Sequence, residues 1–421
     1  MGVEPQNRLN ITLKKEEARD MQQTPNANRL HIAIFGKRNV GKSSLINALT
    51  AQDIALVSEL AGTTTDPVYK AMELLPIGPV VIIDTAGLDD EGAIGELRIK
   101  KTREVMDKTD LALLVIDGDV EDLSFEKEWY EDLKKRKIPV VGVINKIDKN
   151  QVSVEDIQKI IDIDFVKISA KDNLNIDELK KAIMKMAPED FEKSTIVGDI
   201  VKPKARVIVV APQDIQAPKG RLILPQVQII RDLLDNDAMA LVVKDSELQD
   251  VLDSLRDKPD LVITDSQVFK KVNAIIPKDV PLTSFSILMA RYKGDLNSLV
   301  KGARAIDTLK VGDKVLIAEA CTHHPLEGDI GREKLPMWLE EKIGGKLDIT
   351  VCAGSSFPED LSGYKLVVHC GACMFNRQQL MARIKKANME DLPITNFGIA
   401  IAHINGILDR VLSAFDGYSE K

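Results

Sequence analysis

Two groups of residues in this chain have the types and spacing to do chemistry, and they lie toward opposite ends of it. Near the start, Gly36-Lys37-Arg38-Asn39-Val40-Gly41-Lys42-Ser43-Ser44 has the G-x-x-x-x-G-K-S spacing of a phosphate-binding loop. In such a loop the backbone N–H groups between Gly36 and Ser44, Val40 and Gly41 included, cradle phosphate oxygens. Lys42 then reaches the β and γ oxygens, and Ser43 offers its hydroxyl to magnesium. Near the end, Cys321-Thr322-His323-His324 and His369-Cys370-Gly371-Ala372-Cys373 hold three of the four cysteines and three of the five histidines. Thiolates at C-x-x-C spacing can share one soft metal centre, and a third thiolate from a distant loop closes its other side. Three thiolates leave a fourth position to His, carboxylate, water or an exchangeable partner. Spacing alone leaves an iron–sulfur cluster and a zinc site of the Cys3His type equally open.

The elements that must position these residues can be read around them. The apolar run 31–35 is a buried strand feeding the phosphate loop, and 45–49 continues it as a helix, the context the motif requires. Four further pieces follow in the order a GTPase needs. Gly62-Thr63-Thr64-Thr65-Asp66 can supply a switch hydroxyl to magnesium, Thr64 being the candidate. The strand 80–83 delivers Asp84-Thr85-Ala86-Gly87 to the metal and the γ-phosphate. After the strand 140–144 come Asn145-Lys146-Ile147-Asp148, where a carboxylate can accept both guanine N–H groups. Ser169-Ala170-Lys171 can contact the base oxygen through its backbone. Adenine lacks those donors, so the expected nucleotide is GTP. Any one of the later pieces alone reads as a polar loop after a strand; five in sequence do not.

Past residue 190 the pattern of strand and helix repeats: strands at 207–211, 238–243 and 261–264, helices at 226–234, 247–256 and 268–276. This small α/β domain, 200–290, has no His, no Cys and no phosphate loop, which points to self-association. The last domain, 292–421, has a strand 314–320 ending on Cys321 and a strand 365–368 ending on His369-Cys370, with a helix 377–387 beginning just after Cys373. The cysteines therefore gather at the carboxyl ends of strands, the edge where open α/β sheets bind ligands. Cys352 ends an apolar run and reads as a core residue, and His31 and His403 read as structural.

The chain has 421 residues, 44% hydrophobic and 29% charged, with a net charge of −8. That composition is globular, and its acidic balance argues against a nucleic-acid partner. No apolar run approaches a membrane span and no secretory signal opens the chain, so a cytoplasmic protein without membrane attachment is expected. Residues 1–28 read as a mobile polar tail and 29–190 as the GTPase domain.

The motifs of residues 29–190 resemble the translation-factor-related GTPases, in particular the branch with the tRNA-modification GTPase MnmE and the ribosome-assembly GTPase Era. That resemblance implies a role for Asn39 as ligand to a potassium ion beside the phosphates. Leu88 stands where Ras-like enzymes carry a water-orienting Gln, which implies slow intrinsic hydrolysis. With the C-x-H and distant H-C-x-x-C motifs added, residues 24–421 resemble the HydF family, the GTPases and scaffolds of FeFe-hydrogenase maturation. The resemblance implies a homodimer with GTP, Mg2+ and K+ in one domain. In another it implies a 4Fe–4S cluster on Cys321, Cys370 and Cys373. It further implies a transient di-iron precursor as cargo, apo FeFe-hydrogenase as recipient and the radical-SAM maturation enzymes as partners. His323 and His369 are its motif histidines, and His324 and Glu327 are local competitors for the fourth position. The alternative is a zinc-stapled GTPase acting in RNA modification or ribosome assembly.

Overall fold

A computed structural model describes residues 25–51, 58–60, 67–74, 77–85, 101–117, 122–149, 153–188, 195–212, 222–320, 329–354 and 356–415. Most of the expected tail, together with Thr64, Gly87, Leu88, Cys321, His323, His324 and Glu327, lies outside the described residues. The chain forms two compact units, Met1–Glu192 and Lys193–Lys421.

The first unit is built on a seven-stranded sheet in the order β2-β3-β4-β1-β5-β6-β7. Its strands are β1 (Leu30–Phe35), β2 (Ser58–Leu60), β3 (Val68–Leu74), β4 (Gly78–Asp84), β5 (Leu111–Ile116), β6 (Val140–Ile144) and β7 (Phe165–Lys167). β3 pairs antiparallel with both β2 and β4, and every other pairing is parallel. All six residues of β1 are buried because successive side chains enter different cores: Leu30, Ile32 and Ile34 one, Ala33 and Phe35 the other. The loop after β1 leads into α1 (Lys42–Ala51). Asp84 ends β4, Asn145 follows β6, and Ser169 comes two residues after β7. The nucleotide motifs therefore all sit at carboxyl strand ends.

The second unit contains two four-stranded parallel sheets that follow one plan. The first is β9-β8-β10-β11, with β8 (Arg206–Val210), β9 (Met239–Val243), β10 (Leu261–Thr264) and β11 (Leu282–Ser284). The second is β13-β12-β14-β15, with β12 (Lys314–Ala318), β13 (Asp348–Cys352), β14 (Leu366–His369) and β15 (Ile394–Asn396). In both, the first strand in sequence pairs with the second on one side and the third on the other, and the fourth lies outside the third. The registers match as well. Val243, Val210, Thr264 and Ser284 form one row across the first sheet; Cys352, Ala318, His369 and Asn396 form the corresponding row across the second.

The helices repeat too. Leu-Pro opens α2 (Leu224–Asp235) before the edge strand of the first sheet and α3 (Leu335–Ile343) before that of the second, with Pro in the first turn of each. Residues 281–294 and 393–406 share Pro281/Pro393, Thr283/Thr395, Phe285/Phe397 and Gly294/Gly406. Ser284 caps the helix Phe285–Lys293 by accepting from the Ile287 N–H at 3.2 Å, and Asn396 caps Phe397–Ile404 by accepting from the Ile399 N–H at 2.8 Å. These two helices meet at equivalent positions: a Cβ on Gly398 would stand 2.1 Å from Cβ of Ser286. The following helices are exchanged. Leu296–Arg304 packs on β15 of the second sheet and Leu408–Leu412 packs on β11 of the first. One apolar core runs from Ile196 to Phe415 through both sheets, so the spans 200–290 and 292–421 are bound by shared packing.

Candidate functional site

The phosphate loop is shaped by backbone that few residues tolerate. Gly41 has φ 94°, and a Cβ there would meet Nδ2 of Asn145 at 2.3 Å. Asn39 is also left-handed, with φ 63°, a region that Asn tolerates better than most residues. Lys42 is buried, and its ammonium donates to the carbonyls of Gly36 at 2.7 Å and Lys37 at 2.8 Å. Ser43 donates to Oδ2 of Asp84 at 3.1 Å. Burial pushes the Asp84 carboxyl up from its ordinary value, against the Ser43 hydroxyl and the Lys42 charge, which lower it. An open cavity of about 410 Å³ lies over the loop, lined by Asn39, Gly41, Lys42, Ser43, Ser44 and Asp84 among others.

The base-side residues are tied to this loop through Asn145. Its Nδ2 donates to the Val40 carbonyl at 2.8 Å and its Oδ1 accepts from the Ala170 N–H at 3.0 Å. With both ends of its amide used in this way, Asn145 sets the distance between the phosphate loop and the 169–171 loop. Ser169 donates its hydroxyl toward Oδ1 of Asp148, 2.9 Å away, and lies 3.1 Å from Oδ2 of Asp172, so its one proton serves two carboxylates. Lys146 is left-handed with φ 64°, and its Nζ is 3.4 Å from Asp117. Asp148 and Lys171 are exposed and available to a ligand.

At the other site, Cys370 directly follows β14, and its half-buried Sγ accepts from the Ala320 N–H at 3.0 Å and the Ala372 N–H at 3.5 Å. Ala320 lies beyond the end of the neighbouring strand β12 and is the residue before Cys321 in the sequence. Cys373 is half-buried three residues before Asn376, whose side chain forms a capping box with Gln379 at the start of the helix Arg377–Met389. Among the described residues no three His, Cys, Asp or Glu side chains converge on a metal position. The donor set that is described, two half-exposed thiols of which Cys370 receives two backbone N–H groups, suits an anionic thiolate centre reached from solvent.

His369 differs from expectation. It is fully buried; its Nδ1 lies 2.8 Å from the Cys370 carbonyl and its Nε2 lies 2.8 Å from Nη1 of Arg383. The carbonyl requires a proton on Nδ1, leaving Nε2 to accept from the guanidinium. Neither nitrogen is open to a metal in this arrangement, so His369 holds the turn instead of closing it as a ligand. Burial, then the Arg383 charge, lowers its pKa to about 3. Arg383 itself stacks between Phe357 and Phe375 with centroids at 4.8 and 4.6 Å, and donates to the Gly354 carbonyl. Cys352 is only half-buried on the edge strand, and burial pushes its thiol up.

Sequence reading missed Arg383 and Lys293. Lys293 is 2% exposed at the end of the helix Phe285–Lys293, and its ammonium donates to the carbonyls of Ala372, Cys373 and Phe375. Burial lowers its pKa to about 8, opposed by the charges of Cys373 and Cys370. The available signal was a lysine closing an otherwise apolar helix, Phe-Ser-Ile-Leu-Met-Ala-Arg-Tyr-Lys.

The hydrogen maturase F dimerization domain matches residues 196–294, and the hydrogen maturase F tetramerization domain matches residues 297–414. Together they take in more than half of the chain. The chain belongs to the hydrogen maturase F family. A third family, described as 50S ribosome-binding GTPase, matches residues 31–146 ahead of those two domains. Over 194 residues the chain is 32% identical to GTPase Der of Wolinella succinogenes, covering 44% of this chain and 40% of that protein. Over 164 residues it is 33% identical to the tRNA modification GTPase MnmE of Desulforamulus reducens, covering 38% and 35%. The chain thus spans about two fifths or less of these curated relatives. Among solved structures it is similar to Era of Aquifex aeolicus bound to GDP.AlF4-, at 23% identity and a TM-score of 0.32 over 51% of this chain and 94% of that one. The member described here therefore joins a GTPase domain to two domains of self-association. Among its described residues no helix is long and apolar enough to cross a membrane.

Several exposed apolar residues of the dimerization domain lie on its edge strand and the adjoining helix. Met239 and Val242 are 48% and 45% exposed on the edge strand β9, and Val227 and Leu234 are exposed on α2, which packs beside it. In the tetramerization domain Val351 on edge strand β13 and Met337 on α3 occupy comparable places.

Proposed function

We propose that this chain hydrolyses GTP with Mg2+ and K+ and carries a 4Fe–4S cluster on Cys321, Cys370 and Cys373. In this reading it acts in the cytoplasm as a homodimeric scaffold that delivers a di-iron precursor to apo FeFe-hydrogenase, in a pathway shared with radical-SAM maturation enzymes. The observation that carries the reading is the pairing of a phosphate loop with a thiol turn in a chain of the hydrogen maturase F family. The turn presents Cys370 to amides from two adjacent strand ends.

The oxygen donors of Ser43 and Asp84 meet at 3.1 Å, and a hard divalent ion suits a carboxylate whose burial disfavours uncompensated charge. Lys42 exchanges the carbonyls of Gly36 and Lys37 for phosphate oxygens when nucleotide enters, and the loop N–H groups hold the rest. Asn39 would turn its amide oxygen to K+ beside the phosphates, where a fixed cation offsets charge developing on the transferred group. Asp148 binds the guanine N–H groups, Lys146 and Lys171 flank the base, and Asn145, by holding the Ala170 N–H, keeps the 169–171 loop beside it. When bound, an iron–sulfur cluster with three protein thiolates supplies one exchangeable iron corner to the precursor. The residues that hold it are Cys370 and Cys373 with Cys321. His369, Arg383 and the amides of Ala320 and Ala372 fix the turn that aims the first two. Edge strand β9, with Met239 and Val242, would pair across a two-fold axis to form the dimer.

Metal and sulfide analysis of anaerobically purified protein tests the cluster: iron with sulfide is expected, and stoichiometric zinc would replace this reading with a zinc-stapled GTPase. GTP turnover is expected to be faster in potassium than in sodium buffer, and equal rates would remove K+ from the account.

A further inference from the structure

Lys293 is buried to 2% exposure at the end of its helix, and among the described residues no carboxylate forms an ion pair with it. Its partners are three carbonyl oxygens: Ala372 at 3.3 Å, Cys373 at 3.2 Å and Phe375 at 2.8 Å. Three accepted bonds need three N–H donors, and only the protonated amine has them. All three acceptors belong to the turn that carries Cys370 and Cys373. Within that turn Ala372 has φ 52°, a conformation that a residue with a Cβ keeps only where its surroundings over-determine it. On the other side of the turn, Cys370 Sγ receives the Ala320 and Ala372 N–H groups, and beyond it the Asn376 capping box fixes the exit.

A buried cation is costly unless a negative group answers it. The groups able to do so here are the thiols of Cys373 and Cys370, and both act electrostatically on Lys293. Lys293 also comes from the other repeat: it lies within the residues of the dimerization domain, whereas the turn belongs to the tetramerization domain. The corresponding position in the second repeat is Asn405, so no symmetry-related charge sits under the first sheet.

We propose that Lys293 is a positioning residue for the metal centre, delivered from the dimerization half. Its three N–H groups hold the 370–375 turn in the ligand conformation, and its fixed charge favours the reduced, more negative state of a thiolate-bound iron–sulfur cluster. This rests on the cluster reading given above. Because reduction adds one electron to an already anionic centre, a cation fixed beside two of its thiolates stabilises the reduced state more than the oxidised one.

Three variants separate the two roles. Lys293→Met removes charge and donors, Lys293→Gln keeps two N–H donors without charge, and Lys293→Arg returns a charge in a different shape. In redox titrations of the loaded protein followed by EPR, Met and Gln are expected to move the midpoint to more negative values, and Arg to move it back toward wild type. In the apoprotein, amide exchange across residues 371–376 is expected to speed up about tenfold in Lys293→Met, the size of one lost charged hydrogen bond. A midpoint unchanged in both uncharged variants overturns the charge role, and unchanged exchange overturns the positioning role. If Lys293→Met does not fold, the Gln and Arg variants decide between charge and shape. Wild-type protein that binds no iron and sulfide at all would instead overturn the cluster reading, and the apoprotein exchange would still judge Lys293.

Discussion

The two four-stranded sheets of the second unit share strand order, row register and exchanged terminal helices, but they spend one row position differently. In the first sheet Thr264 ends β10, and Asp265 closes the next turn by accepting the Gln267 N–H at 3.0 Å, with Ser266 and Ser286 hydroxyls 2.9 Å apart. In the second, His369 ends β14 and a thiol follows at once. A side-chain oxygen satisfies its own turn locally in the first sheet. In the second, the turn that exposes sulfur keeps local bonds such as Phe375 N–H to the Ala372 carbonyl, but three of its carbonyls are also answered by Lys293 while Arg383 holds its histidine. The difference is that the thiol-bearing strand-end turn draws two distant cations onto its backbone and its histidine, one of them from the neighbouring repeat.

The largest effect that tests this contrast is at the thiols. Cys370→Ala or Cys373→Ala is expected to lose most of the iron, because a cluster held by two thiolates has two open corners. Cys352→Ala is in the corresponding row position to Val243, on an edge strand, and is expected to keep its iron. Iron retained in either of the first two variants, or lost in the third, would break the assignment of the second sheet's strand ends.

The edges of the two sheets offer a second separation. On the β9 pairing proposed above, Val242→Lys would bring like charges together and is expected to weaken the dimer by about tenfold or more. Val351→Lys on β13 is expected to leave the dimer and remove higher association. Sedimentation of both variants reads this directly, and identical behaviour would mean that the edges are not specialised.

A third test addresses the exchanged helices. A Cβ at Gly302 would stand 1.9 Å from the Ile394 carbonyl oxygen of β15, against backbone that cannot step aside. Gly302→Ala is therefore expected to cost about 1–3 kcal/mol or more in thermal or denaturant unfolding. At Gly363 a Cβ meets only the Lys314 side chain at 3.9 Å, so Gly363→Ala serves as the control, with a change within about 0.5 kcal/mol.

The phosphate loop was legible because phosphate geometry dictates its spacing. Gly36, Asn39 and Gly41 all take positive φ, and the sequence shows two of the three as glycine. The first sheet's strands were legible from apolar runs, except β11; like β15 it is three residues long and ends on the capping residue of the next helix, too short to show a period. The duplication escaped notice because it resides in register and caps, with Ser284 and Asn396 doing one job through different chemistry. What no local pattern could reveal was the support of the thiol turn. Lys293 lies 79 to 82 residues from the carbonyls it binds, so only folding brings them together. The surroundings of His369 were not legible, since a histidine beside a cysteine looks the same in sequence whether it faces metal or guanidinium.

The smallest effect concerns that histidine and sharpens the row comparison, because Thr264 at the matching position cannot titrate. The folded protein holds His369 with a pKa of about 3 against an ordinary 6.5, since burial and then Arg383 oppose its charge. A depressed folded value means that the unfolded chain takes up the proton first as pH falls. The stability that His369 contributes in its neutral form is complete above about pH 6.5 and is lost progressively down toward pH 3. The slope is at most about 1.4 kcal/mol per pH unit, so near pH 5.5 the loss is about 1 kcal/mol. Denaturant unfolding of the apoprotein at pH 7.5 and pH 5.5 measures it, since without iron no ligand exchange at the thiols confuses the signal. His369→Asn keeps a polar group for the Cys370 carbonyl or Arg383 while removing the titration. It is expected to start from a lower stability at pH 7.5 but to fall less between the two pH values. An equal fall in wild type and variant would show that groups other than His369 set the acid response, and that the His369 proton is not what distinguishes the two rows.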